Sequence, residues 1–214
     1  MRRLYPLVVV LTLCYLVPPT TPAETLDTIV SRLQKRYEGI RELSADFTQE
    51  TISKGMRETL TSSGRVYFRK PGMMRWEYDT PEGDLLISDG TTIWLFQADL
   101  NQVIESSADV TTTSIARNFL AGMGSIREDF DLSLYGVTGE RYRLGLTPKN
   151  STPSIERLSI DINKASFLVV RTVVLDRFGN ETRVAFKNVK TGGPLDASLF
   201  TFTPPEGVVV VRPR

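Results

Sequence analysis

The order of apolar and polar residues predicts one amphipathic helix followed by a long series of β-strands. After residue 24, apolar side chains first recur three or four positions apart, which indicates a helix with one buried face. The apolar positions of this predicted helix are Leu26, Ile29, Val30, Leu33 and Tyr37. Thr25 is a suitable N-cap, and Gly39 is a suitable residue to end the helix.

After this helix the apolar positions alternate, which is typical of strands. The clearest strand places Met74, Trp76 and Tyr78 on one face and Arg75 and Glu77 on the other. Further strand patterns cover residues 65–69, 85–88, 91–96, 131–135, 141–147, 157–162, 167–175 and 182–189. We therefore expect a largely β protein.

Turn residues separate several of these strands, and a second short helix is predicted in the middle of the chain. Pro71-Gly72 suits a tight turn, and Asp89-Gly90 suits a type I′ hairpin turn. Residues 178–180 form a third turn signal. Residues 113–120 have a helical pattern, and its apolar side carries Ile115, Phe119 and Leu120.

The strand pattern is compatible with two architectures. Most strands are apolar on one face and charged on the other, which predicts an antiparallel sheet with one solvated face. About ten such strands tend to curl, and two short helices cannot fill the resulting trough, so an apolar cavity is one outcome. The other outcome is a sandwich of two sheets that fill each other's apolar faces. The pattern alone favours the sandwich, within a single domain.

The first 23 residues have the three-part layout of a secretory signal peptide. Arg2 and Arg3 precede an apolar run over residues 4–17, and Ala23 is a plausible cleavage point. We expect residues 1–23 to be removed and residues 24–214 to form the mature, periplasmic domain. A retained membrane anchor is the alternative, although the apolar run is short for a membrane span. Lipidation at Cys14 is disfavoured because Leu13 precedes it.

The composition of the mature chain argues against catalysis. The whole sequence contains no His, and its single Cys is Cys14 in the predicted leader. The mature chain therefore lacks a thiol nucleophile, a histidine base and a Cys/His metal site, and we expect no enzyme activity, cofactor or metal. Removing Arg2 and Arg3 changes 26 basic and 25 acidic residues to 24 and 25, a net charge of −1. This balance does not suit nucleic-acid binding.

Four motifs in order resemble one family. They are Ala-Asp-Phe-Thr-Gln at 45–49, Phe-Arg-Lys-Pro-Gly-Met-Met-Arg-Trp-Glu at 68–77, Ile-Ser-Asp-Gly-Thr-Thr-Ile-Trp at 87–94, and Phe-Thr-Phe-Thr-Pro-Pro-Glu-Gly-Val at 200–208. Together they resemble the periplasmic outer-membrane lipoprotein carrier family, LolA. The resemblance covers essentially the whole mature chain.

The resemblance implies a fold and a function. The fold is a mainly β, α+β structure, an incomplete antiparallel barrel of about eleven strands with a helical lid over an apolar cavity, which reverses the preference for a sandwich. The function is that of a monomeric carrier. It takes triacylated lipoproteins from an inner-membrane ABC transporter of the LolCDE type and delivers them to the outer-membrane receptor LolB.

The resemblance also assigns roles to residues. The expected lining of the apolar cavity is Leu33, Phe47, Val66, Phe68, Met74, Trp76, Tyr78, Ile115, Phe119 and Leu120. The family usually has an arginine before the turn proline, and this arginine hydrogen-bonds carbonyl groups of the lid. Lys70 stands at that position here, so we expect Lys70, or else Arg69, to act as the latch. Lysine lacks the planar fork of arginine, so the change is not neutral.

Two alternative functions remain open at the level of the sequence. A carrier of other envelope lipids, such as glycolipids, would need the same apolar cavity. A related sheet-and-lid fold also occurs in a periplasmic regulator of envelope stress, which senses lipids or lipoproteins but has a second domain. An esterase is the enzymatic alternative, and the absence of His argues against it.

Overall fold

The computed structural model describes residues 24–55, 58–108, 126–150 and 155–213. Its helices are α1 (Leu26–Glu38) and α2 (Ile126–Asp129). Its strands are β1 (Glu42–Ser53), β2 (Glu58–Arg69), β3 (Met73–Thr80), β4 (Leu85–Asp89), β5 (Thr92–Gln97), β6 (Gln102–Ser107), β7 (Phe130–Thr138), β8 (Arg141–Pro148), β9 (Arg157–Asn163), β10 (Val169–Leu175), β11 (Glu181–Thr191) and β12 (Val209–Val211). A 3₁₀ turn at Ala197–Phe200 precedes β12. The predicted helix over residues 113–120 lies outside the described residues.

Helix α1 forms where the sequence predicts it. The Thr25 side chain caps its first turn by accepting a hydrogen bond from the Thr28 amide at 3.3 Å. The helix ends before Gly39, as predicted, but Gly39 has a right-handed φ of −76°, so this glycine is not needed for a left-handed cap. The buried face of α1 consists of Ile29, Val30, Leu33 and Tyr37.

The twelve strands of the described residues belong to one open sheet, and within those residues the sheet does not close into a barrel. Their order is β12-β6-β5-β4-β3-β2-β1-β11-β10-β9-β8-β7, and every pairing is antiparallel except that of β12 with β6. The expected open antiparallel sheet is confirmed. The sandwich that the pattern alone favours is wrong, because the apolar strand faces pack against a helix instead of a second sheet.

We call the face of the sheet that carries α1 the inner face. Strand register fixes which side chains lie there, since Val66 is opposite Trp76 and Phe68 is opposite Met74. The buried side chains of the sheet form one cluster with α1, and its main members are Phe47, Val66, Phe68, Met74, Leu144, Leu158, Ile160, Ile162, Val184 and Phe186. Each fully buried aliphatic or aromatic side chain contributes about 1.5–3 kcal/mol, so this cluster dominates the stability of the fold.

The expectation of one fully solvated face is wrong for strands β4–β6. Ile87 lies opposite Arg75, on the outer face, yet it is completely buried. The segment 194–208 covers this region and buries Phe200, which is 2 % exposed. The Phe202 ring packs 6.2 Å from Trp94 and 6.0 Å from Phe96. A second, smaller apolar core therefore exists on the outer face.

The predicted hairpin at Asp89-Gly90 is confirmed, but its turn type is not. Asp89 still belongs to β4, and the two loop residues are Gly90 and Thr91. Only Gly90 has a positive φ, +101°, and this fits a type II′ turn instead of a type I′ turn. The Asp89 carboxylate accepts hydrogen bonds at 2.8 Å from the amides of Thr91 and Thr92 and so holds the loop. The turn at Pro71-Gly72 has the expected positive φ of +67° at the glycine.

Candidate apolar binding site

An aromatic group occupies the middle of the inner face. The Phe47 ring lies 4.8 Å from the Trp76 ring and 5.2 Å from the Tyr78 ring, both in edge-to-face arrangements. Trp76 also contacts Phe68 at 6.1 Å and Phe186 at 6.2 Å. Phe47 and Phe68 are buried, whereas Trp76 and Tyr78 are only partly buried. Trp76 and Tyr78 therefore keep part of their apolar ring surface accessible on the inner face.

Burial also affects the phenol of Tyr78. Removal from water and, to a smaller extent, the nearby Asp84 carboxylate together raise its pKa to about 12. The phenol is therefore neutral at any physiological pH. This part of the inner face carries no charge from Tyr78 and remains compatible with an apolar ligand.

The structure places the described members of the expected lining together. All seven belong to, or pack against, the inner-face cluster: Leu33, Phe47, Val66, Phe68, Met74, Trp76 and Tyr78. Ile115, Phe119 and Leu120 lie outside the described residues. Arg75 and Glu77 point to the outer face, where Arg75 pairs with Glu77 at 2.6 Å and donates to the Leu199 carbonyl at 3.3 Å.

Three further inner-face residues were not expected from the sequence. Register places Leu86 opposite Trp76, Leu95 opposite Leu86, and Ile104 opposite Leu95. All three are partly buried. The pattern did not single out Leu86 because Leu85 precedes it, so alternation alone does not say which of the two leucines faces inward.

Contacts at its two ends define the path of α1 over the inner face. Its C-terminal end meets Lys70, which follows β2, and its N-terminal end meets Tyr142 on β8 through Glu24. Its 13 residues give it a length of about 20 Å. Five strand spacings separate β2 from β8 in the sheet order, a distance of about 24 Å. The helix therefore crosses this half of the sheet, and Leu86, Leu95 and Ile104 lie beyond its β2 end.

Lys70 contacts the C-terminal end of α1 directly. Its ammonium group donates to the Tyr37 carbonyl at 2.5 Å and to the Glu38 carbonyl at 3.3 Å. These carbonyls belong to the last helical turn, which carries the negative end of the helix dipole, and the Tyr37 carbonyl also accepts a hydrogen bond from the Ile40 amide at 3.1 Å. Burial lowers the pKa of Lys70, the Glu38 carboxylate opposes this shift, and the positive charge of Arg41 adds to it.

Arg69 is placed differently from its neighbour. Its guanidinium lies on the outer face, where it pairs with Glu42 at 2.7 Å, donates to the Leu195 carbonyl and stands 4.9 Å from the centre of the Phe200 ring. Glu42 also accepts a hydrogen bond from the Leu195 amide at 2.8 Å. Arg69 therefore anchors the segment that covers the outer face, and only Lys70 of the two candidate latch residues contacts α1.

The fold and site together define a class of protein: an open antiparallel sheet whose apolar inner face is covered in part by an amphipathic helix. In the part of the chain that the structure describes, no three His, Cys, Asp or Glu side chains are grouped so that they could hold a metal ion. Among the described helices, none has the length and apolar character needed to cross a membrane.

Comparison with known proteins identifies the family. The sequence profile of the outer membrane lipoprotein carrier protein LolA matches residues 38–203. The outer-membrane lipoprotein carrier protein of Chromobacterium violaceum is 35 % identical over 184 residues, which are 85 % of this chain and 86 % of the relative. That of Nitrosomonas europaea is 34 % identical over 208 residues, 96 % and 97 % of the two chains. The chain belongs to the LolA family of outer-membrane lipoprotein carriers.

A solved structure supports the fold. The crystal structure of an uncharacterized conserved protein from Thermus thermophilus matches with a TM-score of 0.56 and covers 87 % of this chain and 98 % of that chain. The two sequences are 19 % identical, so this likeness shows the fold alone.

Proposed function

We propose that this protein is a periplasmic carrier that shields the acyl chains of triacylated lipoproteins between the inner and the outer membrane. The observation that carries this proposal is the continuous apolar inner face, part of it under α1 and part of it, along Leu86, Leu95 and Ile104, beyond the end of that helix. Family membership supports the same function, because the relatives are named as outer-membrane lipoprotein carriers.

The energetics of acyl burial explain why such a carrier needs a closed state. Each buried methylene contributes about 0.8 kcal/mol, so one acyl chain of about sixteen carbons contributes on the order of 12 kcal/mol. Three fully buried chains would exceed any known non-covalent affinity, and the cargo would never be released. A closed state in which α1 packs on the inner face offsets the free energy gained by burying acyl chains, because cargo must first displace the packed helix.

Lys70 supports this proposal as the latch of the closed state. Its two bonds to carbonyls of α1 stabilise the helix on the sheet, and cargo entry would break them. Such bonds from a charged donor contribute about 1.5–3 kcal/mol in total. The latch therefore favours release of cargo by raising the free energy of the loaded, open state relative to the empty, closed one.

The proposal includes two partners. An inner-membrane ABC transporter of the LolCDE type would load the carrier with energy from ATP, and an outer-membrane receptor such as LolB would accept the cargo downhill. The residues proposed to contact acyl chains are the described lining residues together with Leu86, Leu95 and Ile104. We propose that the protein acts without catalysis and without a cofactor.

Reconstitution tests the function. Proteoliposomes that contain the transporter and a triacylated lipoprotein are incubated with ATP and the mature protein, and the supernatant is analysed for a soluble complex. We expect ATP-dependent release of the lipoprotein in complex with this protein, and no complex when the same cargo lacks its acyl chains. Absence of a complex with the acylated cargo would contradict the proposal.

A carrier of other envelope lipids is the second candidate. It rests on the same apolar surface, because burial of hydrocarbon alone does not distinguish the acyl chains of a lipoprotein from those of another lipid. Mass spectrometry of the ligand that co-purifies with the protein from periplasm separates the two. Recovery of a glycolipid, together with failure to capture lipoprotein, would favour this alternative.

A further inference from the structure

The N-terminal end of α1 is held by an arginine from a distant part of the chain. Arg127 lies in α2, and its guanidinium contacts three acceptors on the first two turns of α1. The distances are 2.9 Å to the Asp27 carboxylate, 3.0 Å to the Asp27 carbonyl and 3.4 Å to the Ser31 hydroxyl. The Arg127 guanidinium thus binds both side-chain and backbone oxygen atoms of α1.

Arg127 is itself fixed to the far end of the sheet. Lys149, which directly follows β8, donates from its ammonium group to the Arg127 carbonyl at 2.7 Å and from its amide to the Asp129 carbonyl at 3.0 Å. Helix α2 leads directly into β7, the outermost strand on this side. The guanidinium therefore connects the start of α1 to the β7–β8 edge.

A second contact holds the same end of the helix. The Tyr142 hydroxyl of β8 donates to the Glu24 carboxylate at 2.7 Å, and Glu24 also pairs with Arg32. The Arg32 guanidinium stands 3.9 Å from the centre of the Phe167 ring. This contact is made by residues of β8 and of the loop before β10, so it complements the Arg127 contact without duplicating it.

The two ends of α1 differ in how far they can move. At the C-terminal end, residues 39–41 join the helix directly to β1, so this end stays close to the sheet. At the N-terminal end, the pair Arg127–Asp27 has side-chain exposures of 45 % and 84 %, which makes it accessible to ions. Salt screens such exposed charges, whereas the Lys70 contact with carbonyl dipoles is partly buried.

From this arrangement we propose that Arg127 is a second latch residue, and that α1 opens from its N-terminal end when the Arg127–Asp27 contact breaks. The proposal deepens the proposed carrier function, on which it rests, by stating which end of the helix moves first. Arg127 acts as a positioning residue: it holds α1 over the inner face and need not touch cargo.

The test uses the mature protein and N-phenyl-1-naphthylamine. This apolar dye is uncharged, so salt does not screen its own interaction with the protein. Binding rate and affinity are measured for the wild type, Arg127→Met and Arg127→Lys at low and high salt. The control is Arg183→Met, because Arg183 pairs with Glu50 and Glu181 on the outer face and does not contact α1.

We expect Arg127→Met to bind the dye on the order of two- to fivefold faster at low salt, the range expected from loss of an exposed ion pair. The wild type should approach this rate as salt increases, Arg127→Met should not respond to salt, and Arg127→Lys should restore part of the response. Equal rates and equal salt profiles for the wild type and Arg127→Met would overturn the inference, as would the same change in Arg183→Met.

Hydrogen exchange separates local opening from general destabilisation. Amides in the first half of α1 should exchange faster in Arg127→Met, while those of β9 and β10 remain protected. A uniform increase across the sheet would overturn the inference. Because neither readout uses lipoprotein, faster exchange at α1 without lipoprotein capture in the reconstituted system would uphold the second latch and contradict the carrier function.

Discussion

The Lys70 ammonium group and the Tyr37 carbonyl oxygen lie 2.5 Å apart, although 33 positions separate the two residues in the sequence. Lys70 is in the turn between β2 and β3, and Tyr37 is in the last turn of α1. The bond therefore connects the helix to the middle of the sheet. The same carbonyl also accepts a hydrogen bond from the Ile40 amide at 3.1 Å, so Lys70 contacts the C-terminal cap of the helix.

Replacement of Lys70 tests this connection. Lys70→Leu should raise the population with α1 displaced about ten- to a hundredfold, because loss of bonds from a charged donor costs about 1.5–3 kcal/mol. The variant should hold an apolar dye more tightly and release lipoprotein more slowly, as measured by fluorescence titration and by transfer to acceptor membranes. Lys70→Arg should bind the dye less tightly than the wild type if its fork engages both carbonyls.

Lys187→Leu is the matched control for this substitution, since Lys187 is an exposed lysine of β11. It should leave dye affinity and release rate unchanged. Equal dye affinity in the wild type, Lys70→Leu and Lys70→Arg would show that Lys70 does not hold the helix.

The neighbouring residues Leu85 and Leu86 allow a test of which face binds cargo. Leu86 faces the inner side, opposite Trp76, whereas Leu85 lies opposite Glu77 and faces outward. Leu86→Ala should weaken binding of an acyl-chain probe about threefold or more, since each methylene lost from a contact costs up to about 0.8 kcal/mol. Leu85→Ala should leave the affinity unchanged. Isothermal titration with a lysophospholipid measures both, and a greater loss of affinity in Leu85→Ala would refute the assignment of faces.

Gly64 is required where β2 and β3 approach each other. A Cβ atom at this position would stand 1.9 Å from the Glu77 carbonyl oxygen and 3.0 Å from the Phe47 ring. Gly64→Ala should therefore lower the free energy of unfolding by more than about 2 kcal/mol, because backbone has to move. Gly136→Ala is the control, since its Cβ would meet nothing within 4 Å. Urea denaturation of both variants measures the difference, and equal stabilities would contradict the close approach.

Alkaline pH should destabilise the protein through Tyr37. Burial raises the pKa of this phenol from 10.0 to about 12, an effect that its bond with the Val169 amide and the charge of Arg36 only partly oppose. Because the folded pKa is the higher one, this contribution to stability is complete below pH 10 and is lost as the pH rises toward 12. At pH 11, ionisation in the unfolded state alone removes about 1.4 kcal/mol.

Tyr37→Phe should reduce this alkaline loss. The free energy of unfolding is measured at pH 8 and at pH 11. The loss of stability between these two pH values should be about 1.4 kcal/mol smaller in Tyr37→Phe than in the wild type. Tyr135→Phe, which changes a half-exposed phenol, should lose as much stability between pH 8 and pH 11 as the wild type does. If Tyr37→Phe lost as much stability as the wild type, the buried phenol would not be the group responsible.

Local pattern sufficed for helix α1 and for most strands, although β6 was not among the predicted strands. The spacing of Ile29, Val30 and Leu33 gave the buried face of α1, and the alternation through Met74 and Trp76 gave the inner face of β3. Both signals arise within a few residues, because a helix and a strand each repeat side-chain direction over a short distance.

Contacts between distant segments were beyond the reach of the pattern. Burial of Phe200 on the outer face depends on Arg69 and Glu42, which lie more than 100 residues away in the sequence. The parallel pairing of β12 with β6 has no local signature, since three consecutive valines fit either face of a strand. The contact between Arg127 and Asp27 likewise required the helix path to be known.

The central position of β1 determines when this protein is able to fold. The first strand of the chain pairs with β2 on one side and with β11 on the other, where Leu43 meets Thr191. Until β11 has emerged, β1 is the open edge of a sheet that contains only β1–β6, and it lacks half of its backbone partners. A pairing between such distant residues forms slowly, because a long loop has to close first. The complete inner face therefore cannot assemble until β11, in the last fifth of the chain, is available to pair with β1.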